Sequence, residues 1–236
     1  AGLPDGVINF IPGDGPMIGS AVIGNKDLAG VHFTGSNNTF NFLWKEIAKN
    51  LSIYKSYPKL VGETGGKDFI FVHNSANSLE VATAINMGAF EYQGQKCSAA
   101  SRVYVPKSMW SEVEEHMLNQ LSRMKTGDVR DFSNFINAVI DEKAYNRIMG
   151  YIDMAKKSKE CKLIFGGNGN KRVGYFVEPT VILTTNPHFV TMQEEIFGPV
   201  FTVFVYEDQD FEKTLELCDN TSPYALTGAI FANDKY

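Results

Sequence analysis

Residues 31–51 read VHFTGSNNTFNFLWKEIAKNL, and this stretch decides the fold class. It opens with a short apolar run, passes through the turn residues 34–36 and continues to Leu51 with apolar side chains at helical spacing. The same order precedes it, because residues 7–11 read as a buried strand and residues 16–24 as a short helix. Strands that alternate with helices are typical of a parallel sheet. We therefore predict an α/β protein.

The downstream sequence continues the alternation. Apolar runs predict buried strands at residues 69–72, 102–105, 162–165, 175–182 and 200–206. Amphipathic stretches predict helices after Asn77, around residues 110–124, from Asp141 and over residues 210–219. The Gly-rich segment 62–66 is the expected boundary, since paired glycines let a chain change direction cheaply. We predict one domain over residues 1–64 and a second over residues 65–236.

The composition excludes several classes of protein. Hydrophobic residues make up 44% and charged residues 21% of the 236 positions, which is an ordinary globular balance. A net charge of -5 provides no basic field for nucleic acid or an anionic membrane. No apolar run approaches the roughly 18 to 20 residues that span a bilayer, and the first residues lack the pattern of a signal peptide. We predict neither a nucleic-acid nor a membrane partner.

Three cysteines, Cys97, Cys161 and Cys218, are too few and too scattered for a disulfide framework. No Cys or His pair has the spacing of metal ligands, so no metal site is predicted. Cys97 follows a predicted helix among small and polar residues, which leaves its sulfur accessible, and Lys96 beside it can favour a thiolate. Cys97 is therefore a candidate nucleophile, although most free cysteines only pack in a core.

Three further segments carry candidate groups. In residues 34–36 a glycine allows close backbone approach, and the helix that follows offers N–H groups to a pyrophosphate, but many such turns need glycine for geometry alone. Glu63, in a Gly-rich turn, is either a base that is partly shielded from water or a solvated turn residue. The acidic pair and Phe197 of segment 194–199 can hold a ribose and a flat ring, or can form an ordinary helix end.

Five segments in this order resemble the aldehyde dehydrogenase superfamily: PGDGP (12–16), FTGS (33–36), GETGGK (62–67), GQKCSAASR (94–102) and EEIFGP (194–199). The resemblance runs through essentially the whole chain, and the combination of order and spacing is highly specific. It implies part of a Rossmann-type cofactor sheet followed by an α/β catalytic domain. Thr64 and the segments 33–44 and 94–106 are most similar to the branch that oxidises L-glutamate γ-semialdehyde, the delta-1-pyrroline-5-carboxylate dehydrogenases.

The resemblance also implies roles for residues at matching positions. Cys97 would attack the aldehyde carbon, and Glu63 would activate the water that hydrolyses the resulting thioester. NAD would be bound by Pro12, Gly13, Thr34, Gly35, Ser36, Glu195 and Phe197. The parent enzyme would be a homodimer or higher homo-oligomer with a small aldehyde substrate, in the mitochondrial matrix of a eukaryote or otherwise in the cytoplasm.

Two alternatives stay open at this level. The chain could belong to another superfamily member that acts on a different aldehyde or uses NADP. Rates on glutamate semialdehyde and on simple aliphatic aldehydes would distinguish that reading. The chain could also be a non-catalytic fragment that only binds partner subunits, in which case Cys97 would react with iodoacetamide no faster than Cys161 and Cys218.

We expect this chain by itself to be inactive or nearly so. The superfamily's oxyanion-hole Asn belongs upstream of Ala1, and its substrate-anchoring loop belongs downstream of Tyr236. Loss of one oxyanion donor typically lowers the rate by roughly 10² to 10³. The measurement is NAD reduction by the purified chain with glutamate semialdehyde, and robust turnover would contradict the expectation.

Overall fold

The computed structural model describes residues 2–233, which belong to two compact units. The first unit ends at Thr64 and the second begins at Gly65. Both units combine helices with parallel strands, so the α/β prediction is confirmed.

The first unit is small. Its main elements are α1 (Gly15–Ile23), β1 (Gly30–Thr34), α2 (Asn37–Lys49) and β2 (Lys59–Glu63), with a single 3₁₀ turn, Leu51–Ile53, after α2. The two strands pair in parallel over their whole length, so the last residue of β1 lies beside the last residue of β2. The buried core of this unit consists of Ile23, Leu28 and Ile47.

Residues 7–11 do not form the predicted strand. They have no regular structure, and Phe10 is 91% exposed. A strand needs a neighbour to satisfy its backbone hydrogen bonds, and among the described residues the sheet of this unit contains β1 and β2 alone. The apolar pattern thus identifies side chains that favour burial without identifying a partner for them.

The second unit is built on a six-stranded sheet with the order β10-β3-β4-β9-β8-β5. Its strands are β3 (Asp68–Val72), β4 (Ala100–Pro106), β5 (Cys161–Phe165), β8 (Thr180–Thr184), β9 (Val200–Tyr206) and β10 (Gly228–Phe231), and β6 (Gly169–Asn170) with β7 (Phe176–Val177) forms a separate hairpin. Neighbouring strands are parallel except β5, which runs antiparallel to β8.

Helices cover both faces of this sheet. They are α3 (Ser78–Phe90), α4 (Lys107–Leu121), α5 (Glu142–Lys157), the short α6 (Val190–Gln193) and α7 (Phe211–Asn220), with 3₁₀ turns at Glu91–Gly94 and Asp208–Asp210. Successive strand residues point to opposite faces. Ile70 accordingly packs in the apolar cluster with α3 and α4, and Phe71 packs in an aromatic cluster with α7.

Side-chain caps mark where α2 of the first unit and α3 and α5 of the second unit begin. A polar side chain accepts a hydrogen bond from the backbone N–H three residues later, which satisfies a donor that has no partner within the helix. The pairs are Ser36 with Thr39, Asn77 with Glu80 and Asp141 with Ala144. The last two helix starts agree with the sequence prediction.

The predicted strand 175–182 is divided in two. Its ends are β7 and the first part of β8, and they are separated by Glu178 and Pro179. Proline has no backbone N–H to donate to a sheet ladder, so a strand tends to break there. Strand β10 was not predicted, because its four residues are held by pairing with the distant β3 and carry little local signal.

Three loops lie at one edge of the sheet because of this topology. Residues 65–67, 94–99 and 194–199 directly precede β3, β4 and β9, which are adjacent and parallel. Adjacent parallel strands have their amino ends on the same side. The loops that enter these strands must therefore meet.

We predict that backbone amides of residues 1–50 exchange hydrogen faster than those of β3, β4 and β9. The reason is that the first unit has a core of three buried residues, whereas the central strands of the second unit pack into large apolar clusters on both faces. The measurement is hydrogen–deuterium exchange of the chain followed by mass spectrometry. Amides of β1 that are as strongly protected as those of β4 would contradict it.

Candidate active site

The glycine pair Gly65-Gly66 holds two other loops together. The Gly66 N–H donates a hydrogen bond of 3.0 Å to Oε1 of Glu195. A Cβ atom at Gly66 would collide with the carbonyl oxygen of Cys97, and a Cβ atom at Gly65 would lie 2.6 Å from Oε2 of Glu195. Two glycines are needed here because the backbone and the carboxylate approach too closely for any side chain.

The loops before β4 and β9 also touch each other. A Cβ atom at Gly94 would collide with the carbonyl oxygen of Gly198, so these two backbones are in direct contact. A cavity of about 10 Å³ remains between the loops, close to the smallest volume that holds one water molecule. Its lining includes Gly66, Lys96, Ser101, Glu195 and Phe197.

Cys97 differs from the other two cysteines in its surroundings. All three are free thiols, and Cys97 is half-buried in a loop. Burial raises the pKa of Cys218, which is enclosed, and also that of Cys161, which is half-buried and donates to Thr184 Oγ1 at 3.6 Å. A raised pKa keeps a thiol protonated and unreactive. Of the three, Cys97 is the one whose backbone contacts the glycine pair.

Lys96, the neighbour of Cys97 in the loop, has a carboxylate partner of its own. Its ammonium group lies 2.7 Å from Oε2 of Glu91, in a partly exposed ion pair. That an ammonium beside Cys97 favours its thiolate stays a prediction from the sequence.

The two loops that flank the site contain strained backbone. Tyr92, Gln93 and Phe197 have φ angles of 53°, 56° and 56°, the left-handed region that bulky residues avoid. Among the described residues they are the non-glycine residues with positive φ. The helix predicted after Asn77 ends at Phe90, just before the first two of these residues. Strain of this kind costs roughly 1–3 kcal/mol per residue and is concentrated at functional sites.

The acidic pair divides into two different environments. Glu194 is exposed and accepts a hydrogen bond from the Tyr151 hydroxyl through Oε2. Burial, together with Glu194, raises the pKa of Tyr151 to about 12, so this hydroxyl remains a donor. Glu195 is half-buried and is held by Gly66. Of the two carboxylates, Glu195 is the one that contacts the glycine pair.

In the first unit the structure brings together Thr34, Gly35, Ser36 and Glu63. Thr34 and Glu63 are paired end residues of β1 and β2, and the Gly35 N–H donates to the Glu63 carbonyl oxygen at 3.1 Å. Glu63 thus ends a strand instead of lying in the predicted turn, and its side chain is exposed. Ser36 caps α2 by accepting from the Thr39 N–H at 3.2 Å.

Pro12 and Gly13 lie in an exposed loop ahead of α1. The helix itself begins with Asp14 as its cap, which accepts from the Met17 N–H at 3.0 Å. The loop has no regular structure, and its position relative to β1 is not constrained by sheet pairing.

A set of buried charges adjoins the site, and sequence reasoning passed over it. Lys67, Asp68 and Arg102 are 1%, 2% and 4% exposed. Arg102 donates to the carbonyl oxygens of Lys67 and Cys218, both at 2.8 Å. Asp68 accepts from the Thr227 N–H at 2.7 Å, and burial raises its pKa. The available signal was a Lys-Asp pair directly against an apolar strand, where charges are rarely found without a purpose.

Within residues 2–233, no group of three or more His, Cys, Asp or Glu side chains is placed to hold a metal ion. None of the helices described is long and apolar enough to cross a bilayer. A larger cavity of about 530 Å³ lies beside the β6–β7 hairpin, and none of the predicted site residues lines it.

The model of the aldehyde dehydrogenase family matches residues 1–236. The chain belongs to the aldehyde dehydrogenase family. It is 51% identical to the mitochondrial delta-1-pyrroline-5-carboxylate dehydrogenase of Dictyostelium discoideum and 53% identical to that of Danio rerio. Each alignment covers 100% of this chain, and 43% and 42% of the respective relative.

Solved structures of this family show the same fold. The delta-pyrroline-5-carboxylate dehydrogenase of Mycobacterium tuberculosis bound with NAD superposes with a TM-score of 0.92 at 43% identity, over 99% of this chain and 42% of that one. The Thermus 1-pyrroline-5-carboxylate dehydrogenase with bound NAD superposes with a TM-score of 0.90 at 32% identity, over 99% and 44%. The chain thus spans less than half the length of these family members.

We predict that Gly66→Ala lowers the free energy of unfolding by about 1–3 kcal/mol, because its methyl group meets the Cys97 carbonyl and the backbone must shift. The rate at which iodoacetamide alkylates Cys97 should also change, because the Cys97 backbone must move. The matched control is Gly150→Ala on α5, where a Cβ atom meets open space and should stabilise the helix by about 0.5–1 kcal/mol. Urea unfolding measures both, and equal stability of the two variants would contradict the assignment.

Proposed function

We propose that the longest natural product containing this chain oxidises L-glutamate γ-semialdehyde, in equilibrium with delta-1-pyrroline-5-carboxylate, to L-glutamate with NAD in proline catabolism. The observation that carries the proposal is the arrangement around Gly66, which contacts the Cys97 backbone and binds Glu195. About half of the residues are identical to relatives that are named for this activity.

The two units would have different tasks. Residues 1–64 would be the C-terminal part of the NAD-binding domain, and residues 65–236 would be the catalytic domain. The residues present fit NAD chemically. Glu195 is a half-buried carboxylate able to accept hydrogen bonds from ribose hydroxyls. The 13-residue helix α2 begins directly after Ser36, so the positive end of its dipole is available to a phosphate there. Pro12, Gly13, Thr34, Ser36 and Phe197 complete the proposed set.

Cys97 would act first in the proposed reaction. Its thiolate adds to the aldehyde carbon and forms a thiohemiacetal, in which the former carbonyl oxygen carries the negative charge. When bound, NAD supplies the acceptor for the hydride that this carbon loses, and a thioester of Cys97 remains. The covalent step is needed because the trigonal carbon of an aldehyde does not release hydride readily. In the tetrahedral thiohemiacetal, the negatively charged oxygen supplies the electron pair that re-forms the C=O bond as hydride leaves.

Glu63 would act in the second half of the reaction. Its carboxylate takes a proton from water, and the resulting hydroxide adds to the thioester carbon. The C–S bond then breaks, which releases the carboxylate product and returns the Cys97 thiol. An exposed carboxylate at the end of β2 has the access to water that this step requires.

We also propose an aldehyde substrate of small size and a homodimer or higher homo-oligomer for the parent protein. The relatives from Dictyostelium discoideum and Danio rerio carry the word mitochondrial in their names. We propose the mitochondrial matrix for a eukaryotic source and the cytoplasm otherwise.

Two substitutions in the longest natural form test the reaction. We predict that Cys97→Ser lowers NADH formation by roughly 10³-fold or more, since the nucleophile is lost. Glu63→Gln should release about one NADH per subunit and then slow by roughly 10² to 10⁴, because removing the base blocks hydrolysis but not hydride loss. Mass spectrometry of Glu63→Gln should find the glutamyl thioester on Cys97.

Cys161→Ser is the matched control and should turn over at the wild-type rate. The substrate assignment fails if a simple aliphatic aldehyde is oxidised more efficiently than glutamate semialdehyde. The enzymatic assignment fails if Cys97 reacts with iodoacetamide no faster than Cys161 and Cys218, which would favour a non-catalytic role as a subunit-binding fragment.

A further inference from the structure

Lys67 is a charged side chain at the site that the proposed reaction does not use. It follows the glycine pair directly, is 1% exposed, and its Nζ atom has no hydrogen-bond partner among residues 2–233. The carbonyl oxygen of the same residue accepts from Arg102 Nε at 2.8 Å, so the backbone at Lys67 is fixed. Lys67 is therefore an ordered ammonium-bearing group, enclosed within one residue of Gly66.

Several charges face Lys67 from the elements packed around it. Burial first, and then the Arg102 guanidinium on β4, lower the pKa of Lys67 to about 7. Three carboxylates act in the opposite direction, namely Glu195, Asp68 and Glu194. The first and last belong to the loop before β9, and Asp68 begins β3.

Burial of the charged Lys67 side chain lowers the free energy of unfolding. In the unfolded chain the lysine side chain stays protonated up to its ordinary pKa of 10.5. In the folded protein, Lys67 is deprotonated in half of the molecules near pH 7. Below pH 7 both states are protonated and the full penalty of burying the charge applies. Between about pH 7 and 10.5 the unfolded state binds more protons, so stability rises with pH. An apolar side chain of the same length would avoid the penalty, so stability does not explain Lys67.

We propose that Lys67 is a positioning residue that holds the Glu195 carboxylate in its orientation beside the glycine pair, ready to bind the ribose of NAD. The ribose part of this inference rests on the proposed function. The positive charge of Lys67 attracts Glu195 through space, while the Gly66 N–H binds Oε1 directly.

The geometry favours this role over two others. Complete burial denies the Lys67 amine to an aldehyde, so a Schiff-base nucleophile is excluded. A purely structural anchor would have its hydrogen bonds satisfied, as Arg102 does with two carbonyl oxygens, whereas Nζ of Lys67 does not. An electrostatic action on the neighbouring carboxylates is what remains.

The first test measures the Gly66–Glu195 hydrogen bond without any cofactor. In Lys67→Met the Gly66 amide, observed by NMR, should exchange at least about tenfold faster, because Glu195 is no longer held. The Ile70 amide of β3 should keep its rate and report an intact fold. Lys162→Met, an exposed lysine on β5, is the matched control. An unchanged Gly66 rate in folded Lys67→Met overturns the proposal.

A second test keeps the lysine and changes its partner. Coupling between two groups is reciprocal, so in Glu195→Gln the Lys67 side chain should titrate at a lower pH than in the wild-type protein. The ε-carbon resonance of Lys67 follows this titration. This titration tests the role of Lys67 even where the Lys67→Met variant does not fold. An unchanged titration in Glu195→Gln overturns the proposal.

A third test links Lys67 to NAD in the longest natural form. Lys67→Met should weaken NAD binding about tenfold, and the double variant with Glu195→Gln should bind no more weakly than Glu195→Gln alone. The alkylation rate of Cys97 should stay within about twofold. Independent, additive losses overturn the proposal. If the wild-type protein binds no NAD, the proposed cofactor is wrong, and the Gly66 exchange rate still decides the role of Lys67.

Discussion

The parallel pairing of β3, β4 and β9 is the constraint on which the rest of the site depends. Each strand is entered from a loop that carries one of the characteristic segments, and adjacent parallel strands must be entered from the same edge. The sheet therefore fixes which loops meet. The glycine pair fixes how closely they meet, because only a residue without a side chain leaves room for a carbonyl oxygen and a carboxylate on its two sides.

Much of the fold could be predicted from the sequence because its signals are local. The central strands are apolar runs bounded by turn residues, and the helix starts carry capping side chains, so both are marked in a few consecutive positions. The failures are non-local. Residues 7–11 are apolar enough for a strand but have no partner in the sheet, and β10 is held by residues far away in the chain.

The candidate site was predicted unevenly for the same reason. Cys97 and Glu195 could be singled out through their segments, and the structure places them on either side of Gly66. Two properties arise only from tertiary packing: the burial of Lys67 and the left-handed backbone at Phe197. No local pattern encodes a φ angle that the surrounding loops impose.

In the second unit, strained backbone and buried charge lie next to a well-packed apolar core. Left-handed bulky residues and an unpartnered ammonium each oppose folding, and both lie in the loops or first residues next to the strand edge. The interior of the same strands is packed with fully buried aliphatic and aromatic side chains on both faces. A sequence selected for stability alone would replace these unfavourable groups, because stabilising single substitutions are easy to find. Their confinement to the loops around Cys97 and Glu195 supports the proposal that the active site lies at this edge of the sheet and not at the larger cavity elsewhere.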